Sequence, residues 1–319
     1  MTAIIAFMPL HPQAQAFLKM QEKLSLPDIT TDLMKYREAS HRESDLAGSN
    51  AANVRIEHRY LASPTADLPV NIYIPEGDGP FNGLVYFHGG GWVAYDINRY
   101  SPQLSAIAAS TNSVVIAVNY QKAPEHKFPI PFDDCYSALE WTFANSAEFS
   151  IDVEKIGIGG DSAGGNLASG VAIKARDQGK LRVAYQLLIY PANSPSYVAT
   201  PDVPNATGFG STQVGIKWAW EQYLSSDSDL TNPYAVPHSA KDLSNLPPTI
   251  LITAEFDVLR EDGKEYARKL ENSGNQVIYK DFPGMIHGFF NYQKYIDDAL
   301  LIREYIAENI SKILSKKKS

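Results

Sequence analysis

Short apolar runs punctuate the chain at residues 83–87, 113–118, 155–158, 185–190, 249–253 and 276–279. Most of them lack polar alternation. A strand with one solvated face alternates and a strand covered on both faces does not, so these runs predict the buried strands of a parallel sheet. Between most of them apolar residues return at helical spacing, over 100–109, 134–145, 166–177 and 264–272. Strand and helix in alternation predict an α/β fold, a mostly parallel central sheet flanked by helices. Near the C-terminus, Ile302, Ile306, Ile310 and Ile313 make one stripe, which predicts a helix packed on that sheet.

The rhythm differs in three places. Residues 54–60 and 68–75 bracket a turn at Ser63-Pro64 and read as an antiparallel strand pair. Residues 11–44 are helical in pattern, with Ala14, Phe17 and Leu18 on one face and Pro27 dividing off a second stretch around Leu33 and Tyr36. Between 191 and 247 no buried strand is expected. That interval is rich in Pro, Ser, Asn and Thr, with one helical piece at 213–224 carrying Trp218 and Trp220. So long an insertion at the C-terminal edge of a strand is usually functional. The expectation is one domain over 1–319, with a helical cap formed by about 1–48 and about 192–228.

Composition acts mainly by exclusion. The 319 residues fit one large α/β domain or two small ones, and 44% hydrophobic with 20% charged residues imply a packed core. A net charge of −8 disfavours a nucleic-acid partner, which wants a basic face. The single cysteine, Cys135, rules out an intrachain disulfide and a multi-cysteine metal site, and it points to a reducing, cytoplasmic setting. No apolar run reaches the roughly 20 residues of a membrane span. The apolar start at residues 1–10 lacks a basic region and a cleavage site, so it reads as a mature N-terminus. The sequons at Asn205 and Asn309 then read as chance, and Lys316, Lys317 and Lys318 as a solvated tail.

The candidate chemistry centres on residues 156–166, which read as strand, tight turn and helix start. Ser162 stands between Gly160 and Gly164 in G-x-S-x-G spacing. A serine on so sharp a turn has its hydroxyl pushed outwards, and neighbours two residues away must be almost without side chain. A glycine-rich turn that binds nothing would have the same spacing, so the motif needs its context. At the helix start the Ala163 N–H is an unpaired donor that could meet an oxyanion.

An activated serine needs a base and a group that orients the base. His287 lies in Gly284-Met285-Ile286-His287-Gly288-Phe289, a loop just after the last expected strand. His11, His41, His58, His126 and His238 have no such setting and read as structural. Asp257 follows the strand at 249–253 and is the expected orienter, with Glu255 and Asp262 as local rivals. Asp202, Asp227, Asp229 and Asp242 fall in the insertion and read as solvated. The order Ser162, Asp257, His287 is that of α/β-hydrolases. His88-Gly89-Gly90-Gly91-Trp92 follows the strand at 83–87, and its glycines let backbone N–H groups approach a substrate. Gly89 and Gly90, with Ala163, are the expected oxyanion hole.

These motifs, together with Ala123-Pro124-Glu125-His126, Phe128-Pro129, Asp133-Asp134, Tyr190-Pro191 and Leu259-Arg260, resemble the hormone-sensitive-lipase-like group of α/β-hydrolase esterases, bacterial family IV. The resemblance runs over nearly the whole chain. It implies an α/β-hydrolase fold with a helical cap and hydrolysis of small carboxylic esters with short to medium acyl chains. It further implies an acyl-enzyme, no metal or cofactor, and frequent homodimers. Trp92 and Tyr95, just past the glycines, are the candidates for substrate contact. Tyr95 stands where the family usually has glycine, which bears on pocket size and loop path. An amidase, formamidase or small-peptide hydrolase would use the same triad. A non-catalytic receptor on this fold would tolerate loss of the base, yet the whole His287 loop is kept.

Overall fold

The computed structural model describes residues 9–24, 26–41, 46–198 and 209–315. Residues 1–8, Asp202, the Asn205 sequon and the lysine tail lie outside the described residues. The chain runs α1 (Pro12–Leu24), α2 (Leu33–Ser40), β1 (Val54–Ala62), β2 (Asp67–Pro75), β3 (Phe81–Phe87), α3 (Ser101–Thr111), β4 (Ser113–Val118), α4 (Ile130–Ala144), β5 (Ile151–Asp161), α5 (Ala163–Gln178) and β6 (Gln186–Ile189). It continues through α6 (Gln213–Tyr223), β7 (Thr249–Phe256), α7 (Arg260–Asn272), β8 (Val277–Ile286) and α8 (Asp298–Ser315).

The strands form one eight-stranded sheet in the order β1-β2-β4-β3-β5-β6-β7-β8. The β1–β2 and β2–β4 pairs are antiparallel and the remaining pairs parallel. The absence of alternation in the runs has its reason in β3. Leu84 and Tyr86 are buried on one face against Leu104 and Ile107 of α3 and the Ile302, Ile306 and Ile310 stripe of α8. Val85 and Phe87 are buried on the other, in the core that contains Leu139 of α4, Leu167 and Val171 of α5 and Leu270 of α7. Each such aliphatic side chain removed from water contributes about 1.5–3 kcal/mol, which is what holds helices on both faces.

Several boundaries differ from the sequence pattern, among them the starts of α4 and β5 at Ile130 and Ile151, and two have a visible cause. β8 continues to Ile286, well past the expected 276–279, because it is an edge strand whose outer half carries polar side chains. Asp281 there accepts from Thr253 Oγ1 at 2.7 Å and pairs with Arg260 at 2.7 Å, so polarity in the strand is satisfied. α7 starts at Arg260, ahead of the expected 264, since the Asp257 carbonyl accepts the Arg260 N–H at 3.1 Å and the Asp257 carboxylate accepts the Leu259 N–H. In the interval 191–247, the described residues hold α6, short 3-10 turns and one isolated bridge between Phe209 and Ser211. Among the described residues no helix is long and apolar enough to cross a membrane.

Candidate active site

β5 ends at Asp161 and α5 begins at Ala163, so Ser162 alone makes the turn. It does so at φ 54° and ψ −119°. A non-glycine residue at positive φ is strained and persists only where its surroundings hold it. Here the Ser162 N–H donates to Ile189 O at 2.8 Å, and its carbonyl accepts from Asn166 N at 3.1 Å and Ala192 N at 3.2 Å. The flanking glycines are required by contact. A Cβ on Gly160 would run into the carbonyl of Gly164, and one on Gly164 into the carbonyl of Phe87.

His287 is the first residue past β8, whose pairing with β7 carries it towards β5. Its Nε2 lies 3.0 Å from Ser162 Oγ and its Nδ1 lies 2.7 Å from Asp257 Oδ2. A carboxylate only accepts, so Nδ1–H donates to Asp257 and Nε2 is left to accept from the serine hydroxyl. Asp257 is 1% exposed, and its other oxygen accepts the Leu259 N–H at 2.8 Å. The rival carboxylates are occupied elsewhere. Asp262 lies 2.8 Å from His238 Nε2, and Glu255 accepts the Gly284 N–H at 2.7 Å.

Burial favours the neutral imidazole of His287. The Asp257 charge and hydrogen bond, with a smaller contribution from Asp161, outweigh it and raise the ring above its ordinary value. A protonated Nε2 cannot accept the serine proton. Catalysis that uses this ring as base should therefore lose kcat/KM as pH falls through the raised value, with the acid limb centred above about 6.5. A pH profile of p-nitrophenyl acetate hydrolysis checks this, and a midpoint below about 6 would contradict it.

The expected oxyanion donors need one correction. The Gly89 N–H is directed to Asp161 Oδ1 at 3.0 Å and the Tyr100 hydroxyl at 3.1 Å, so it is already used. Of the three glycines 89–91, Gly90 and Gly91, at φ 108° and 60°, line the cavity over Ser162. Val93 N and Ala94 N donate to Gly90 O at 3.1 and 2.9 Å and close this turn. Ala163 opens α5, so its N–H has no partner one helical turn back. His88 reinforces the loop from behind. Burial lowers its pKa to about 3, and the neutral ring donates from Nδ1 to Gly89 O at 2.7 Å while stacking on Tyr120.

The sequence alone gives Asp161 no role. It is 2% exposed and also accepts from Tyr86 at 3.0 Å and Tyr100 at 3.1 Å. Burial raises its pKa, against those bonds, the Gly89 N–H and the charge of His287. The one sequence signal is a carboxylate that ends the stretch 156–160, which has no polar side chain. This residue ties the glycine loop to the Ser162 turn.

A cavity of about 490 Å3 opens over Ser162 and His287. α1 contributes Gln21 and Glu22, α2 contributes Tyr36, and α6 contributes Ile216 and Ala219. Tyr95 lines it too. Its hydroxyl is 3.0 Å from that of Tyr36, and the Arg99 guanidinium sits 4.1 Å from its ring centre. Tyr95 adopts φ 66°, a conformation glycine takes without strain, and it is half-buried. Trp92 is a second correction. It is 1% exposed, stacked on Tyr223 at 4.5 Å, and is not among the described residues that line the cavity.

Comparison with known proteins bears on this geometry. A family model described as alpha/beta hydrolase fold matches residues 84–291. An arylesterase of Saccharolobus solfataricus is 33% identical over 287 residues, covering 88% of this chain and 92% of its own. The carboxylesterase NlhH of Mycobacterium tuberculosis is 36% identical over 248 residues, 75% of this chain and 76% of its own. Among solved structures, an ester hydrolase from the metagenome of Lake Arreo superposes with a TM-score of 0.90 at 30% identity, covering 96% of this chain and 99% of that one.

Proposed function

The chain belongs to the α/β-hydrolase family, among the hormone-sensitive-lipase-like carboxylesterases, and from that premise we propose which residues carry its ester hydrolysis and which esters it prefers. The observation that carries the assignment is the relay from Ser162 Oγ to His287 Nε2 at 3.0 Å and from Nδ1 to the buried Asp257 at 2.7 Å, with Ser162 and His287 in the wall of the cavity. Ser162 attacks the ester carbonyl while His287 takes its proton. His287 then gives that proton to the leaving alkoxide, and the acyl group stays on Ser162 as an ester. Water, deprotonated by the same imidazole, releases the acid. Asp257 holds the tautomer and stabilises the imidazolium. Gly90, Gly91 and Ala163 N–H groups receive the oxyanion of each tetrahedral intermediate.

We read α1, α2 and α6 as the cap, since all three line the cavity that holds the relay. The substrate is then a small-molecule ester. The single cysteine and the net charge of −8 support a cytoplasmic enzyme without a nucleic-acid partner, and the family resemblance favours a homodimer.

Tyr95 sets the acyl range in this reading. Its ring packs against Gly90, where an added Cβ would meet Tyr95 Cδ2 at 2.8 Å. The ring also borders a second cavity of about 540 Å3 next to Arg37 and Lys122, so it stands between that space and the active site. Each methylene buried stabilises a complex by about 0.8 kcal/mol, whereas forcing one against a fixed ring costs about 1–3 kcal/mol. Acetyl to butyryl esters should be preferred, and Tyr95→Gly should shift the optimum to longer chains. A p-nitrophenyl ester series measured on both proteins tests the function and this detail together. No turnover of any ester sinks the first, and identical chain-length profiles sink the second.

A further inference from the structure

Apart from a contact of Nη1 with Met34 Sδ on its own helix, Arg37 of α2 directs its side-chain donors to the segment behind the active-site glycines. Its Nε donates to Val93 O at 2.6 Å and its Nη2 to Ala123 O at 2.9 Å. Nη1 and Nη2 also grip both oxygens of Glu125, at 2.7 and 2.9 Å. The two carbonyl segments are themselves joined, because Ala123 N donates to Trp92 O at 3.0 Å. The neighbouring residue repeats the contact, with the Tyr36 hydroxyl 3.0 Å from that of Tyr95.

The consequence follows from tracing the peptide units. The Val93 carbonyl that Arg37 holds belongs to the same peptide as the Ala94 N–H. That N–H donates to Gly90 O at 2.9 Å. The Gly90 carbonyl in turn belongs to the same peptide as the Gly91 N–H. In a trans peptide the C=O and N–H point opposite ways, so a donor on the oxygen fixes the plane and polarises the hydrogen on the far side. A guanidinium charge therefore stands at the head of a two-peptide relay that ends on Gly91.

We propose that Arg37 is a positioning residue for the oxyanion hole, aligning and polarising the Gly91 N–H through the Val93–Ala94 and Gly90–Gly91 peptides. The proposal rests on the reading of Gly91 as an oxyanion donor. It makes the N-terminal helix pair part of the rate and not only of the roof. The pair with Glu125 keeps its charges across the assay range, because the Arg37 hydrogen bond holds the Glu125 carboxyl at about 2.

The test compares wild type, Arg37→Lys and Arg37→Met on p-nitrophenyl acetate. It also compares a trifluoromethyl ketone, which becomes an oxyanion on Ser162, with ethanol, a neutral alcohol that does not, each read from the acylation phase so that acyl transfer to ethanol does not enter. Outright loss of one oxyanion donor lowers kcat by about 10²–10³. Loosening a donor without removing it should give roughly a tenfold fall in kcat for Arg37→Met, with KM within about twofold. The ketone should weaken by the same factor and ethanol inhibition should not change. Arg37→Lys keeps a cation near Val93 O and should recover part of both losses. If Arg37→Met does not fold, the Lys variant decides, since one ammonium cannot hold two carbonyls and a carboxylate at once. Unchanged kcat and ketone affinity, or KM and ethanol inhibition changing as much as kcat, would overturn the proposal. If the ketone binds wild type no better than ethanol, the oxyanion-hole reading beneath it fails instead.

Discussion

Ser162→Ala is expected to lower kcat for p-nitrophenyl acetate by about 10⁶, the order seen when the nucleophile of a serine–histidine–aspartate constellation is removed. The size of the effect follows from what is lost. Without Oγ there is no atom to carry the acyl group, and His287 has only water to activate. Oxyanion donors and binding alone leave roughly 10³–10⁴ of catalysis over water. The fold should be unaffected, because the backbone bonds that hold the turn all belong to main-chain atoms of Ser162. Alanine at φ 54° meets the same strain as serine, so no new penalty arises. The measurement is turnover together with the thermal midpoint and the circular dichroism spectrum. Turnover within tenfold of wild type, with an unchanged spectrum, would remove Ser162 from the mechanism.

What the sequence made legible was local chemistry. Glycine two residues either side of Ser162 is dictated by carbonyls of the same turn and of β3, and the spacing alone says so. The doubly buried strands were readable because neither face of β3 meets water. Apart from the start of α7, which local bonds to Asp257 set, the main differences come from contacts between distant segments. That the Gly89 N–H is already taken is decided by Asp161, 72 residues away on the neighbouring strand. Trp92 looked like a pocket residue by its place after the glycines, but Tyr223 of α6 draws its ring into the core. β8 outruns its apolar stretch because Arg260 and Thr253 satisfy the Asp281 carboxylate within it. The Tyr95 substitution was visible, yet its partner Tyr36 lies in another helix altogether.

The second large effect concerns the orienting carboxylate. Asp257→Asn should lower kcat by about 10⁴, and the structure says why the amide settles in the damaging orientation. Asp257 Oδ1 accepts the Leu259 N–H at 2.8 Å, and Oδ2 faces His287 Nδ1 at 2.7 Å. An asparagine has one acceptor oxygen. The Leu259 N–H is fixed by the start of α7 and can only donate, so it takes that oxygen and leaves the NH2 facing Nδ1. Two donors cannot meet, and Nδ1 must become the acceptor. The proton then sits on Nε2, aimed at Ser162 Oγ, where a base is required. The remaining activity should also change its pH dependence. Loss of the carboxylate removes the main influence that raises His287, while burial continues to favour the neutral ring, so the acid limb should move to lower pH. Asp262→Asn is the control. Its carboxylate serves His238 and the Asn193 and Ser194 N–H groups, so it should lower stability with kcat within a few-fold of wild type. Steady-state kinetics over a pH series, with thermal midpoints for both variants, separates the two. Greater loss of kcat in Asp262→Asn than in Asp257→Asn would mean that the wrong carboxylate has been assigned to His287.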